Sequence, residues 1–343
     1  MSKALPVFCQ EWHVTTSGAF RNLLFEPLEP HARLNLRPWD RTANSLGDLP
    51  TLAAAGPAIF CQAPPPRELA ELPGARVAWV PMWDEVRTYH ETVWAALPRT
   101  VRIVAYSRAV ANLTTAMGFP TLALQYFVDP KRVEPASWSD GPVLYYWNRT
   151  GLFGPSFLAR LCRSLGATRL LFRGQLDPRV SPNASYRLPS RLGGAAVTEV
   201  PATLPRDEYL RLVSSANVFL APRACEGVGL MLLEALAWGQ AAFACDVPAM
   251  NEYITHGEDG VLLRLAPPSN GARRSHKRLG WLGARKPVER PNADLVPATR
   301  QDWKTIAALD LQALGRQARQ RHEVGFKTWN ARIPELARFL LEW

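Results

Sequence analysis

No stretch of the 343 residues is long and apolar enough to cross a bilayer, because Pro, Gly or charge breaks every run well short of the ~20 residues a spanning helix needs. The opening MSKALPVFCQEWH lacks the apolar core of a secretory leader, so the expectation is a cytoplasmic protein without a transmembrane segment. Cysteine is sparse. The five (Cys9, Cys61, Cys162, Cys225, Cys245) are odd in number, widely scattered and never at metal-ligand spacing. A disulfide framework is thereby excluded, and they read as reduced, packed thiols, Cys225 included. Internal repeats are absent beyond one twofold restart of the same pattern. Acid is also short, with 30 Asp and Glu against 40 Lys and Arg. The resulting net charge of +10 and pI near 9.7 favour an anionic partner, whether a nucleotide, an acidic lipid surface or nucleic acid.

What the sequence does have is an ordinary globular mix, 47% hydrophobic and 20% charged, at a length suited to two domains that each bury a core. Short apolar segments alternate with helical ones. In the first half the strands are read at Leu5–Gln10, Ala58–Gln62, Arg76–Trp83, Val101–Ser107 and TLALQYF, with proline-rich connections after Phe25. HVTTSGAFRNLL reads as a strand-to-helix loop. A polar linker, VEPASWSDG, follows at Val133–Gly141, and the pattern restarts with PVLYYWNR, TRLLFRG, AAVTEVP, NVFLAP, AAFACD and GVLLRL. The tail from about Thr305 is helical. Alternation of this kind predicts doubly wound α/β domains with parallel sheets. The expected divisions are 1–136, 137–325 and a terminal helix, 326–343, crossing back to the first domain.

The chain is organised around Ala221–Trp238, APRACEGVGLMLLEALAW. A buried strand leads into a loop closed by Gly227 and Gly229. A run of strong helix formers then continues from about Val228 to the breaker Gly239. This geometry offers backbone N–H groups and the positive end of a helix dipole to an anion. Glu226 stands just before the helix and Glu234 two turns into it.

The string P-x-x-x-E-G-x-G-L-x-x-L-E-A-x-A-x-G, followed by NEYITHGEDGVLL, resembles the nucleotide-sugar site of retaining glycosyltransferases of the GT-B architecture, of the E-x7-E type found in bacterial polysaccharide transferases. The resemblance implies two Rossmann-like domains facing a cleft, the first carrying the acceptor side and the second the donor side. It implies that Glu226 contacts the transferred sugar and that Glu234 accepts hydrogen bonds from the ribose diol. Gly227, Val228, Gly229 and Leu230 would let the backbone approach the donor. Arg149, ending YYWNR, matches an arginine that clamps the diphosphate. The lysine usual a few residues later is missing from Thr150-Gly151-Leu152-Phe153, and Arg173 or Arg223 are the substitutes considered. Transfer with retention needs no paired acid and base. His13, in the predicted cleft loop, and Asp84, at a predicted strand end, are the catalytic candidates in the first half, with His90 behind them. No D-x-D motif stands at a plausible strand end, so a metal-independent enzyme without a cofactor is expected, with a UDP- or GDP-sugar as co-substrate.

Gly271–Arg290 holds seven Lys and Arg against one Glu, which is +6 of the chain's +10. Arg273, Arg274, Lys277 and Arg278 are its core. Such a segment suits phosphate contact: an anionic membrane surface with a lipid-linked acceptor, or duplex DNA. PMWD, AYS, YF-VDP and YYWNR look most like small bacterial surface-polysaccharide transferases, so the acceptor the resemblance implies is a cell-surface polysaccharide or lipid-linked glycan. The alternative is DNA carrying 5-hydroxymethylated bases in a phage-infected cell, reached by base flipping. A catalytically silent nucleotide-sugar or nucleic-acid binding module is the third reading.

Overall fold

A computed structural model describes residues 4–15, 18–39, 56–132, 134–176, 186–202, 204–266, 296–297 and 301–343. The chain divides into two compact units. The first comprises Met1–Val128, Glu226–Leu230 and Val324–Trp343, and the second Asp129–Cys225 and Met231–Glu323.

The first unit holds a six-stranded, all-parallel sheet in the order β2-β1-β3-β4-β5-β6. Its strands are β1 (Leu5–Cys9), β2 (Leu34–Pro38), β3 (Ala58–Cys61), β4 (Val77–Val80), β5 (Arg102–Ala105) and β6 (Thr121–Ala123). β1, β3 and β4 are buried at every position, as strands covered on both faces by helices must be. One face carries an aromatic core in which Phe8 stacks on Phe60 at 4.7 Å and Trp79 lies 5.2 Å from Trp94. In the same unit Trp329 packs between Tyr106 and Tyr126 at 6.0 and 5.4 Å. Gly325 lies so close to Phe127 that a Cβ would fall 2.3 Å from the ring.

The second unit holds β7 (Val143–Trp147), β8 (Arg169–Arg173), β9 (Arg191–Leu192), β10 (Ala195–Glu199), β11 (Val218–Leu220), β12 (Ala241–Cys245) and β13 (Val261–Leu263). Their order is β13-β12-β11-β7-β8-β10-β9, parallel except for the short edge strand β9. Taken from β7, the parallel strands run 3-2-1-4-5-6, the arrangement of a dinucleotide-binding sheet. Two structural signals stand out in this unit, one local and one long-range. The helix Pro155–Leu165 has Pro at its first position and Gly166 at φ +61 past its end. Asn217, almost fully buried, accepts Val143 N–H at 2.8 Å and donates to Ser137 O and Gly141 O at 2.9 and 2.8 Å, fixing where β7 begins.

Several element readings change. β2 forms where only proline-rich connection was expected, because Leu34–Pro38 pairs in register with the whole of β1. His13 lies in a short helix, Glu11–Thr15, and not in an open loop. Asp84 sits in the first turn of the helix Trp83–Val86, since β4 stops at Val80. TLALQYF shortens to three strand residues. The tail is helical as expected, but as Gln301–Ala307 and one continuous helix, Leu311–Leu341, so 326–343 is the end of that long helix and not a helix of its own. None of the five cysteines is in a disulfide, and all are buried. No described helix is long and apolar enough to cross a membrane.

Candidate functional site

In the second unit the sheet reverses at β7, whose neighbours are β8 on one side and β11 on the other. Connections leave these strands in opposite directions, so a crevice opens past their carboxyl ends, where ligands of such sheets bind. The loop after β7 is fixed from below. Tyr146 Oη donates to the buried Asn148 Oδ1 at 3.2 Å and accepts from Phe153 N–H at 3.3 Å. Asn148 N–H bonds Arg173 O at 2.8 Å. Thr150 Oγ1 donates to Pro222 O at 3.0 Å, tying this loop to the one after β11.

The cations proposed for phosphate stand around Trp147. The Arg149 and Arg173 guanidinium carbons lie 5.1 and 4.2 Å from its ring centroid. Arg173 also donates to Ala202 O and lies 5.8 Å from the Tyr209 ring. Arg173 is thus engaged by protein partners, and Arg149 follows the end of β7 by two residues. Arg223 is half-buried in the loop after β11.

The helix carrying Glu234 spans Leu230–Ala237. It begins two residues later than the sequence suggested, because Gly229 takes φ +81, outside the helical region. Glu234 is therefore its fifth residue, one turn in and not two. The far end is closed completely. Gln240 N–H bonds Ala235 O and Gly239 N–H bonds Leu236 O, both at 3.0 Å, with Gly239 at φ +71. Arg319 Nη1 donates to Ala237 O at 2.8 Å, setting a cation at the negative end of the dipole.

Glu234 is half-buried and acts electrostatically on two tyrosines that sequence reasoning did not single out. Burial pushes the Tyr145 phenol above its ordinary pKa; the nearby Tyr209 hydroxyl and Arg173 cation pull it partly back, and the Glu234 charge adds to the rise. Burial and the charges of Tyr145 and Glu234 hold Tyr209 well above its usual range. The Tyr145 hydroxyl is fully buried without a hydrogen bond, and the two rings meet edge to face at 6.4 Å. Tyr145 belonged to an apolar strand and Tyr209 to an amphipathic helix, so neither pattern marked a site.

In the first unit the structure brings Asp84 and Gly227 together. A Cβ on Gly227 would stand 3.0 Å from Asp84 Oδ1 and 2.9 Å from Met82 Cβ. The glycine is thus demanded by the protein's own packing, a reason that approach to a donor did not supply. Glu226 and Leu230 are half-buried, and Val228 is buried. His13 packs edge-on against Phe20 at 5.4 Å. His90 caps the helix Glu91–Ala95 by accepting Thr92 N–H at 3.3 Å, a structural task. Among the described residues no three His, Cys, Asp or Glu side chains cluster as a metal site requires. Arg273, Arg274, Lys277 and Arg278 lie outside the described residues.

Residues 157–276 match the family described as glycosyl transferases group 1. No curated protein matches the sequence. Among solved structures, HepE from Anabaena in complex with UDP superposes with a TM-score of 0.62 at 12% identity, covering 97% of this chain and 99% of that one. Sucrose-phosphate synthase from Thermosynechococcus elongatus gives 0.58 at 16% identity, covering 97% and 98%. A glycosyltransferase from Rickettsia africae gives 0.56 at 11% identity over 100% of both chains. The two parallel-sheet α/β domains are those of the GT-B fold.

Proposed function

We propose that this glycosyltransferase, a GT-B chain carrying the group 1 pattern, moves a sugar from a nucleoside-diphosphate donor to a hydroxyl acceptor with retention at the anomeric carbon. The observation that carries the reading is the strand reversal at β7 and β11. There Thr150 ties the two loops, and the chain after β11 continues through a glycine turn into a helix whose opposite end is capped by Arg319. The first N–H groups of Leu230–Ala237, which have no partner within the helix itself, are suited to a diphosphate that gains charge as the glycosidic bond breaks.

In this reading Glu234 accepts hydrogen bonds from the ribose diol, Arg149 neutralises phosphate, and Glu226 contacts the transferred sugar. The bond from the anomeric carbon to the phosphate oxygen breaks. The acceptor oxygen bonds that carbon on the same face, and its proton passes to the departing phosphate. No side chain need act as a base, and no metal is required, so activity should survive EDTA. Asp84 and His13 then serve the acceptor side. The acceptor we favour is a surface-polysaccharide or lipid-linked glycan. The +10 charge keeps DNA with hydroxymethylated bases as a second reading.

A donor screen tests this directly: release of UDP or GDP from a panel of nucleotide sugars, with a lipid-linked sugar and hydroxymethylated DNA as acceptors. The expected result is turnover of one donor with product of retained configuration. Failure to turn over or bind any donor would refute it. DNA binding that falls steeply with salt, and that is lost on neutralising Arg273, Arg274, Lys277 and Arg278, would select the second reading.

A further inference from the structure

Gln62 combines features that the donor side does not use. Its φ is +64, one of only two positive values among the described non-glycine residues. Ala63 N–H bonds Cys61 O at 2.9 Å, which makes Gln62 the centre of a three-residue turn of the rarer, strained hand. The main chain is held there from both sides: Gln62 N–H donates to Val80 O at 2.9 Å, and Gln62 O accepts Trp79 Nε1–H at 2.8 Å. The residue is only 9% exposed, and its Oε1 has no hydrogen-bond partner. A buried acceptor left open, on a backbone held under strain, is an arrangement that packing alone gives no reason to keep.

Its place in the sheet gives it a use. The first sheet runs β2-β1-β3, so its order reverses between β1 and β3. The crevice past their carboxyl ends is the ligand position of an open parallel sheet. Gln62 is the first residue beyond β3, and the Glu11–Thr15 helix with His13 leaves β1 alongside.

We propose that Gln62 is a specificity-determining residue for the acceptor, its Oε1 accepting a hydrogen bond from a hydroxyl of a sugar or polyol. The inference rests on the glycosyl-transfer reading above. A carboxamide oxygen suits the task because it orients an O–H without taking its proton or attracting a cation. An acceptor lacking that hydroxyl leaves the buried oxygen open, which is how such sites discriminate.

The test uses the full chain, UDP-glucose as donor, and water, glycerol, methyl α-glucoside or octyl β-glucoside as acceptor, with UDP release and thermal unfolding as readouts. Gln62→Leu should lower kcat/KM for the stimulating acceptor about tenfold to hundredfold while leaving UDP-glucose KM and basal hydrolysis unchanged. Gln62→Gly, which removes both the strain and the open oxygen, should lose the same transfer and raise Tm by about 2–4 °C. Wild-type acceptor kinetics in Gln62→Leu would overturn the proposal, as would a Gln62→Gly variant no more stable than the parent. A wild type that hydrolyses donor but responds to none of the three organic acceptors would overturn it for sugars and polyols. A wild type that binds neither UDP nor GDP by calorimetry would instead refute the donor reading, and this inference with it.

Discussion

Gly315→Ala sets two known effects against each other at the back of the helix that carries Glu234. Gly315 lies within the long helix Leu311–Leu341, where Ala is the better helix former by about 1 kcal/mol. On propensity alone the substitution stabilises. The new Cβ, however, would stand 2.2 Å from Gly239 O and 3.1 Å from its carbonyl carbon, with Trp138 Cζ2 at 3.4 Å. The first contact falls about 1 Å short of an ordinary C···O approach. The obstacle is backbone, and Gly239 is pinned by φ +71 and by the paired bonds that end its helix. The two helices must separate, and overpacking of that kind costs about 1–3 kcal/mol. With backbone at 2.2 Å the cost lies in the upper part of that range, about 2–3 kcal/mol, so the clash wins, for a net loss of about 1–2 kcal/mol and a Tm lower by about 2–6 °C. Because the displaced end belongs to the helix of Glu234, donor affinity should fall too. Thermal unfolding followed by circular dichroism, with UDP titration by calorimetry, measures both. A Tm equal to or above the parent's would refute the packing argument, since the propensity gain would then have gone unopposed.

Glu226→Ala should abolish transfer in a folded protein, and Glu234→Ala should weaken donor binding about tenfold or more with less effect on kcat; initial-rate kinetics with UDP titration separate the two. Tyr145→Phe removes a buried hydroxyl that has no hydrogen bond, so it should raise unfolding stability by about 0.5–1 kcal/mol, and a loss of similar size in urea denaturation would contradict that. Burial pushes Cys162 up to about 11 and Cys245 up to about 12, from an unfolded value of 9.0. Above pH 9 the unfolded chain sheds these protons first, so the contribution present below pH 9 is lost as pH rises from 9 toward 12. Urea midpoints measured across that window should fall, and removing both thiols (Cys162→Ala, Cys245→Ala) should flatten the decline.

The periodic features of this protein are local and were therefore readable in order. Fully apolar runs such as AIFC, VAWV and AAFAC specify buried parallel strands whatever surrounds them, and Gly239 ends its helix by its own conformational freedom. The glycine turn between Glu226 and Glu234 was legible for the same reason. Other features have long-range causes. Leu34–Pro38 becomes a strand only because β1 offers it an edge, and Gly227 is required by Met82 and Asp84, well over a hundred residues earlier. Tyr145, Tyr209 and Glu234 share one electrostatic environment because the sheet order folds three distant segments onto one face. Nothing in the residues flanking Gln62 announces its strained turn; the bonds from Val80 and Trp79 impose it. The sequence by itself determined the class of fold and the strand, glycine turn and helix that we propose hold an activated sugar. Tertiary structure decided which side chains surround that stretch, because burial, strain and unpaired polar groups are properties of neighbours that the chain brings together only on folding.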